Sequence, residues 1–454
     1  MTARLIDCLA TTAALAEVFS DASLLAAMLQ FEVGLARVES RLGIIPQSAA
    51  DTIAAAAAPG DFDPAMLAQQ ALQSATLSIP FVKALTARVQ AHDPKAAGFV
   101  HWGATSQDLA DSALMLLLKR ARPLIDKDLH RLQNALRGLS DEHANTVMLG
   151  RTLLQAAPPV TFGLKTAGWF AAVQRSHNRL DASFNEALIL QFGGATGTLA
   201  ALGTNGLAVA EGLAAELDLP LPDSPWHAHR DRLATLVCNC GVLTSCLGKI
   251  ARDISLLMQT EVAEVAEPSG EGRGGSSTMP QKHNPSGCAV ALAAANRTPA
   301  LVAAFLSGMV QEHERGVGGW QAEWPTVAAV IQATGVAAAS MAEVAEGLSV
   351  NPARMRANIE RTKGATFAEK ASMLLSEKLG REPAHRLMQQ ASRRSTASNR
   401  RLAEVLAEMP EVAQHLNAAT LARLESPEDY LGASEEFRLR LLASPGPSSK
   451  QKKD

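Results

Sequence analysis

The run Gly275-Ser276-Ser277-Thr278-Met279-Pro280-Gln281-Lys282-His283-Asn284-Pro285 sets hydroxyls, an ammonium and a carboxamide within eleven positions. Gly270, Gly272 and Gly274 precede it, and Pro280 and Pro285 lie within it. Glycine permits a swinging loop, while proline stiffens the part that presents side chains. These groups suit proton transfer at a carbon beside a carboxylate. Lys282 and Asn284 can hold the carboxylate as it gains negative charge, and a serine can exchange the carbon's proton. A plain Gly/Ser/Pro connector has a similar composition, but not this density of reactive groups.

Long helices are expected to position the loop. The chain has 454 residues, of which 47% are hydrophobic and 4% aromatic, with Tyr430 its one tyrosine. An Ala/Leu-rich, aromatic-poor composition favours packed helices. Leu233, Leu236, Cys240, Leu243, Leu247, Ile250, Ile254 and Leu257 alternate spacings of three and four. That is a bundle seam. Ile125, Leu129, Leu132, Leu136 and Leu139 mark another, in a helix that Pro123 should kink near its start. Residues 1–110 read as short helices and turns, including Pro-Gly-Asp-Phe-Asp-Pro at 59–64. The expected organisation is all-α. An N-terminal helical domain spans 1–110, and a central bundle with the loop 270–286 spans 111–350. A C-terminal helical domain from Asn351-Pro352 spans 351–443, followed by a disordered Ser/Pro/Lys tail at 444–454.

The formal charge of -3 gives no basic excess for nucleic acid. No uninterrupted apolar run reaches the ~20 residues of a membrane span. Asp7 and Thr11-Thr12 break any secretory pattern, so a cytoplasmic protein is expected. Five cysteines do not suggest a disulfide framework. Cys238, Cys240 and Cys246 fall in a helical pattern without a fourth metal ligand, so they read as buried thiols.

The loop resembles the signature of the fumarase/aspartase superfamily, G-S-S-x-M-P-x-K-x-N-P, at every fixed position. His101-Trp102-Gly103-Ala104-Thr105-Ser106-Gln107-Asp108 and Gly150-Arg151-Thr152-Leu153-Leu154-Gln155 resemble two further regions of it, in the expected order. The resemblance extends to Gly432. It implies three helical domains around a central five-helix bundle, and a homotetramer whose active sites are each assembled from three subunits. Ser276 is then the catalytic serine, with Lys282 and Asn284 beside the developing charge, and Thr105 and Ser106 bind a substrate carboxylate. For that pair a helix N-cap ahead of Asp108 is the alternative, and both can hold.

Two departures narrow the reaction. Most hydro-lyases, ammonia-lyases and amidine-lyases of the superfamily carry a histidine where Leu153 stands, supported by a glutamate where Ala289 stands. Both halves of one polar device are absent together. An amine or hydroxide leaving group needs proton assistance, whereas a carboxylate, with a pKa near ~4, attacks or leaves already ionised. Addition of an internal carboxylate to a conjugated double bond is lactonisation. Independently, residues 79–85, 225–232, 311–315, 320–324 and 429–432 resemble the bacterial 3-carboxy-cis,cis-muconate cycloisomerase family. That family is an intramolecular lyase of the protocatechuate branch of the β-ketoadipate pathway, and it uses neither metal nor organic cofactor. Its members usually carry tryptophan at position 153, Gly-Leu at 364–365 and Gly-Asn at 75–76. Here these are Leu153, Gly364-Ala365 and Ala75-Thr76. The smaller Leu153 leaves room for another 3-substituent, such as sulfonate.

A small polycarboxylate substrate calls for more cations, and Arg315 is the preferred one, ahead of Arg230. Arg151, Thr152, Leu153 and Gln155 are candidate substrate contacts, although Arg151 could instead satisfy a buried acid. His101 either binds directly or supports from behind. Ser277 and Thr278 either touch substrate or cap turns, and His283 is expected to face away from Lys282 and Asn284. His227, His229 and His313 remain candidates, while Trp226, Trp320 and Trp324 read as packing. The rival readings are an argininosuccinate, adenylosuccinate or fumarate lyase, and a non-catalytic scaffold.

Overall fold

The computed structural model describes residues 4–270, 274, 275, 278, 279 and 282–443. Helices dominate, and the chain divides into two compact units. The first comprises residues 1–130, 175–248 and 290–340, and the second 131–174, 249–289 and 341–454. Ser106–Glu142, Phe162–Ala187, Asp231–Leu257, Ser286–Ser307 and Gly319–Glu346 are the long helices that give residues to both. Every position of the seam from Leu233 to Leu257 is buried. Ile125, Leu129, Leu132, Leu136 and Leu139 are buried as well. Their helix begins at Ser106, so Pro123 stands in its interior and not near its start. The missing N–H costs about 3 kcal/mol. Buried Leu109 and Met115 to Leu118 on the preceding turns offset that loss.

In the first unit, Asp21–Arg41 runs for 21 residues, longer than the short helices expected there. Ser20 caps it by accepting from the Ser23 N–H. Leu25, Met28, Phe31, Leu35 and Val38 face the core, and so do two carboxylates, Glu32 and Glu39. The helix Gly206–Leu217 packs closely on it: a Cβ at Gly212 would lie 2.5 Å from Val38 Cγ1.

Within the all-α fold, the second unit carries two short strand pairs. Strand β1 (Val147–Thr152) pairs antiparallel with β2 (Gln155–Thr161), with an irregularity between Leu149 and Gly150. A Cβ at Gly150 would meet the Pro158 carbonyl oxygen at 2.3 Å. Pro158 and Pro159 also disfavour helix there. Strand β3 (Val265–Ala266) pairs with β4 (Ser349–Val350). The helices Pro352–Glu360, Ala368–Leu379 and Arg381–Ser398 enclose a core of Ile359, Phe367, Leu375 and Met388 that Val147 and Leu149 complete. Asn351 caps the first of them, accepting from the Arg354 N–H. The expected tail, 444–454, lies outside the described residues.

Three helices are long and apolar enough to cross a membrane by length and composition, although none is an uninterrupted apolar run. In Asp231–Leu257 and Gly319–Glu346, 61% and 67% of the apolar window is buried inside the protein, against 22% in Ser286–Ser307. The apolar surface of this last helix lies largely open in the single chain.

Candidate functional site

In the first unit, Thr105 immediately precedes the helix that starts at Ser106. Its backbone N–H donates to Asp108 Oδ2 at 3.0 Å. Buried Asp108 also accepts from the backbone N–H groups of Gly193 and Gly194, and His227 Nε2 lies 2.7 Å from its Oδ1. The Thr105 hydroxyl accepts from Arg315 Nη1 at 2.7 Å, and Arg315 Nη2 donates to the carbonyls of Gly194 and Ala195. A hydroxyl, a guanidinium and a helix N-terminus thus converge, which is a donor set for a carboxylate. Both expected roles of the Thr105-Ser106 pair are compatible with this arrangement.

His101, with φ +60°, places Nδ1 2.6 Å from Glu32 Oε1. Burial alone would lower its pKa. The Glu32 charge and hydrogen bond, with the Asp108 charge, outweigh burial and raise it above the ordinary value.

Arg230 is occupied elsewhere. Fully buried, it forks onto Asp111 and Glu323, with its guanidinium 4.5 Å from the Trp226 ring centre. Burial would raise the Asp111 pKa, but Arg230 holds it below the ordinary range. Trp320 Nε1 donates to Asp111, and Trp226 Nε1 to the Leu190 carbonyl. Segments 225–232 and 320–324 therefore meet in one buried network. Gln311 Nε2 donates to Glu323 Oε1, tying the segment that carries Arg315 to that network.

In the second unit, Lys282 and Asn284 line a cavity of about 520 Å³ with Met258, Gln259, Ser349 and Asn351. His283, expected to face away, lines the same cavity. The Asn284 N–H donates to the Gly274 carbonyl at 2.8 Å, and Nδ2 to the Gly275 carbonyl at 3.2 Å. One amide hydrogen of Asn284 thus closes the loop stem, and among the described residues the other has no partner. Glu267 accepts from the Gly287 and Cys288 N–H groups at 2.9 and 2.8 Å, capping the helix from a distant position. Ser276 and Ser277 lie outside the described residues.

Arg151 forks onto Glu264, which is fully buried, at 2.9 and 2.7 Å. Asn358 Nδ2 donates to the same carboxylate. The acid-satisfying reading of Arg151 thus describes its contacts. Leu153 and Leu154 form the two-residue tip of the β1–β2 hairpin, closed by the pair Thr152 and Gln155. Leu153 is 96% exposed and Leu154 78%. Both have positive φ, +49° and +62°. A two-residue hairpin turn of this kind favours Asn or Gly, so apolar side chains are held there against local preference. Thr152, Leu153 and Gln155 are exposed and do not line the cavity of Lys282.

Sequence reasoning passed over Glu32, Asp108, Glu264 and Glu267 as acceptors. For Glu32 a signal was legible: it stands, with Glu39, among apolar residues on one helix. The partners of all four come from distant segments, which spacing does not reveal. Cys240 is fully buried, and burial pushes its thiol up to about 12, the opposite of a reactive or metal-binding cysteine. Among the described residues no group of His, Cys, Asp or Glu could hold a metal ion.

A family model described as lyase matches residues 9–299, and one described as adenylosuccinate lyase C-terminus matches residues 364–441. The 3-carboxy-cis,cis-muconate cycloisomerase of Bradyrhizobium diazoefficiens is 48% identical over 434 residues, covering 96% of each chain. Nitrosuccinate lyase of Streptomyces davaonensis is 41% identical, covering 94% of this chain and 91% of its own. The crystal structure of the 3-carboxy-cis,cis-muconate lactonizing enzyme from Pseudomonas putida superposes with a TM-score of 0.91 at 44% identity, over 97% of this chain and 98% of that one.

Proposed function

This chain belongs to the fumarase/aspartase superfamily of lyases, and from that membership we propose a cofactor-independent cycloisomerase that closes 3-carboxy-cis,cis-muconate to its muconolactone. In the reaction, one substrate carboxylate oxygen bonds to the alkene carbon β to a second carboxylate. The π electrons move onto that second carboxylate as an aci-carboxylate. Lys282 and the Asn284 carboxamide stabilise it, because preorganised donors strengthen as charge develops. Ser276 delivers a proton to the α-carbon, and the lactone is complete. Thr105, Ser106 and Arg315 hold a carboxylate of the trianion, while Arg151 braces the hairpin through Glu264.

The observation that carries this reading is the absence of a titratable side chain at position 153. The hairpin presents Leu153, and Ala289 stands where the supporting acid would be. A nucleophile that arrives ionised needs no such pair. The open apolar surface of Ser286–Ser307 supports a homotetramer in which other copies cover it, and in which the hairpin tip serves a neighbour's site. Other arginines and lysines complete the neutralisation of the substrate in that assembly.

The test is to follow loss of diene absorbance with 3-carboxymuconate and 3-sulfomuconate in parallel. Turnover of the carboxy compound is expected. Inertness towards both by an intact tetramer defeats the proposal. The 41% identity to nitrosuccinate lyase favours one second reading, elimination from a substituted succinate. Release of fumarate from such a substrate, without muconate turnover, would establish it.

A further inference from the structure

We propose that Glu32 is a positioning residue that keeps His101 cationic, so that the 101–106 segment offers the substrate trianion a charge-assisted donor beside Arg315. The inference rests on the reading that Thr105, Ser106 and Arg315 bind a substrate carboxylate. Glu32 comes from the helix Asp21–Arg41, 69 positions before His101, and is 1% exposed. Its Oε1 lies 2.6 Å from His101 Nδ1, at the short end of contact for an imidazole and a carboxylate, where a charge-assisted N–H···O bond runs about 2.7–2.9 Å. A carboxylate there accepts a hydrogen bond from Nδ1–H and favours the imidazolium, in which Nε2 carries the second proton. The Glu32 contact restrains the imidazole ring, on a backbone that adopts φ +60° at His101, just before Thr105.

Two further acids act on this dyad, Asp108 on His101 and Glu39 beside Glu32, and the His227 imidazole contacts Asp108. Glu32 binds His101 directly. Asp108, on the helix Ser106–Glu142, adds a favourable charge to His101, while itself engaged by Thr105, Gly193, Gly194 and His227. Glu39 lies seven residues beyond Glu32, on the same helix, and is fully buried. Burial, then the charge of Glu32, pushes Glu39 up to about 9, so it is neutral at pH 7 and does not compete for the histidine's proton. The sum of these contacts favours the imidazolium, and the direction of the His101 shift agrees.

The role differs from simple structural support in its pH signature. The imidazolium binds an anion below the pKa of His101, and that contribution fades as pH rises through it. Removing the carboxylate drops the pKa towards or below the ordinary ~6.5.

The test compares kcat and KM for 3-carboxymuconate from pH 6 to 9 in the parent tetramer, Glu32→Gln and His101→Gln. In Glu32→Gln, KM should begin to rise at lower pH than in the parent, exceed the parent's by up to about tenfold on the alkaline side and approach it towards pH 6, with kcat within threefold. His101→Gln should show the raised KM without recovery. The double variant should resemble His101→Gln alone. A Glu32→Gln loss that is equal at all pH values, or a KM profile superimposable on the parent's, overturns the proposal. Should Glu32→Gln not assemble, a His101→Gln profile with the parent's basic limb overturns it equally. Thr105→Val and Arg315→Ala separate the two levels: if neither raises KM at any pH, the carboxylate-site reading itself has failed.

Discussion

Arg315 donates from Nη1 to the hydroxyl of Thr105 at 2.7 Å, across 210 positions of sequence. Its second terminal nitrogen reaches the carbonyls of Gly194 and Ala195 at 3.2 and 2.9 Å. The planar fork spans three acceptors, which a lysine ammonium cannot do from one point. Arg315→Lys should therefore raise KM for the muconate at least tenfold, with kcat within about threefold, the pattern of lost ground-state binding. Steady-state diene absorbance measures both constants. A KM within twofold of the parent would remove Arg315 from the binding site.

Lys282 should show the opposite split. It lines the cavity beside Asn284, and its proposed contribution grows only as the aci-carboxylate forms. Lys282→Ala should lower kcat by about a thousandfold or more, the scale of a lost oxyanion donor. The tetramer, read by light scattering, should persist. Substantial retained turnover would exclude Lys282 from the chemistry.

The hairpin tip sets local strain against function. Leu153 and Leu154 both occupy the left-handed region, at a cost of roughly 1–2 kcal/mol per residue. Leu153→Asn with Leu154→Gly suits the turn better and should raise the thermal midpoint by a few degrees. The same change removes Leu153, a candidate substrate contact, from the tip proposed to serve a neighbour's site, so kcat/KM should fall about tenfold. Unchanged kcat/KM in the more stable variant would show that the tip has no part in the site.

The seams on 125–139 and 233–257 were legible because burial repeats with the helical period, and the structure buries every one of those positions. The hairpin at 147–161 was not. Its turn carries two leucines in place of an Asn-Gly signal, and Pro158 and Pro159 read as breakers. The extent of the helix around Pro123 was hidden for the converse reason: a local breaker is outweighed by core residues on both sides. In the proposed site, Lys282 and Asn284 were singled out by their chemistry, Thr105 by resemblance, and Arg315 as a cation for the substrate. Pairings such as Glu32 with His101, or Arg230 with Asp111 and Glu323, depend on tertiary approach and leave no spacing to read.

One departure from the family pattern has a backbone meaning. Ala75 ends the helix Pro64–Ser74 with φ +51°, where relatives were expected to carry glycine. A left-handed C-terminal cap favours glycine by about 1 kcal/mol. Ala75→Gly should thus raise the thermal midpoint by roughly 2 °C with activity unchanged. A lower midpoint would mean that the unfolded chain gains more freedom from the glycine than the cap gains from it.

Glu39 gives stability a pH dependence whose sign follows from its surroundings. It is fully buried, and neither carboxylate oxygen has a hydrogen-bond partner among the described residues. Burial and then Glu32 raise its pKa from 4.5 to about 9. The folded state thus binds this proton more tightly than the unfolded state. The contribution is fully present below pH 4.5 and is lost as pH rises towards 9, at up to about 1.4 kcal/mol per pH unit. Glu39→Gln keeps the size and neutrality of the protonated acid and removes its titration. Its thermal midpoint should exceed the parent's by several degrees at pH 8.5, and the gap should close towards pH 5. Parallel midpoint curves across that range would mean that Glu39 finds a charge partner in the assembled protein, and that the carboxylate is ionised at neutral pH.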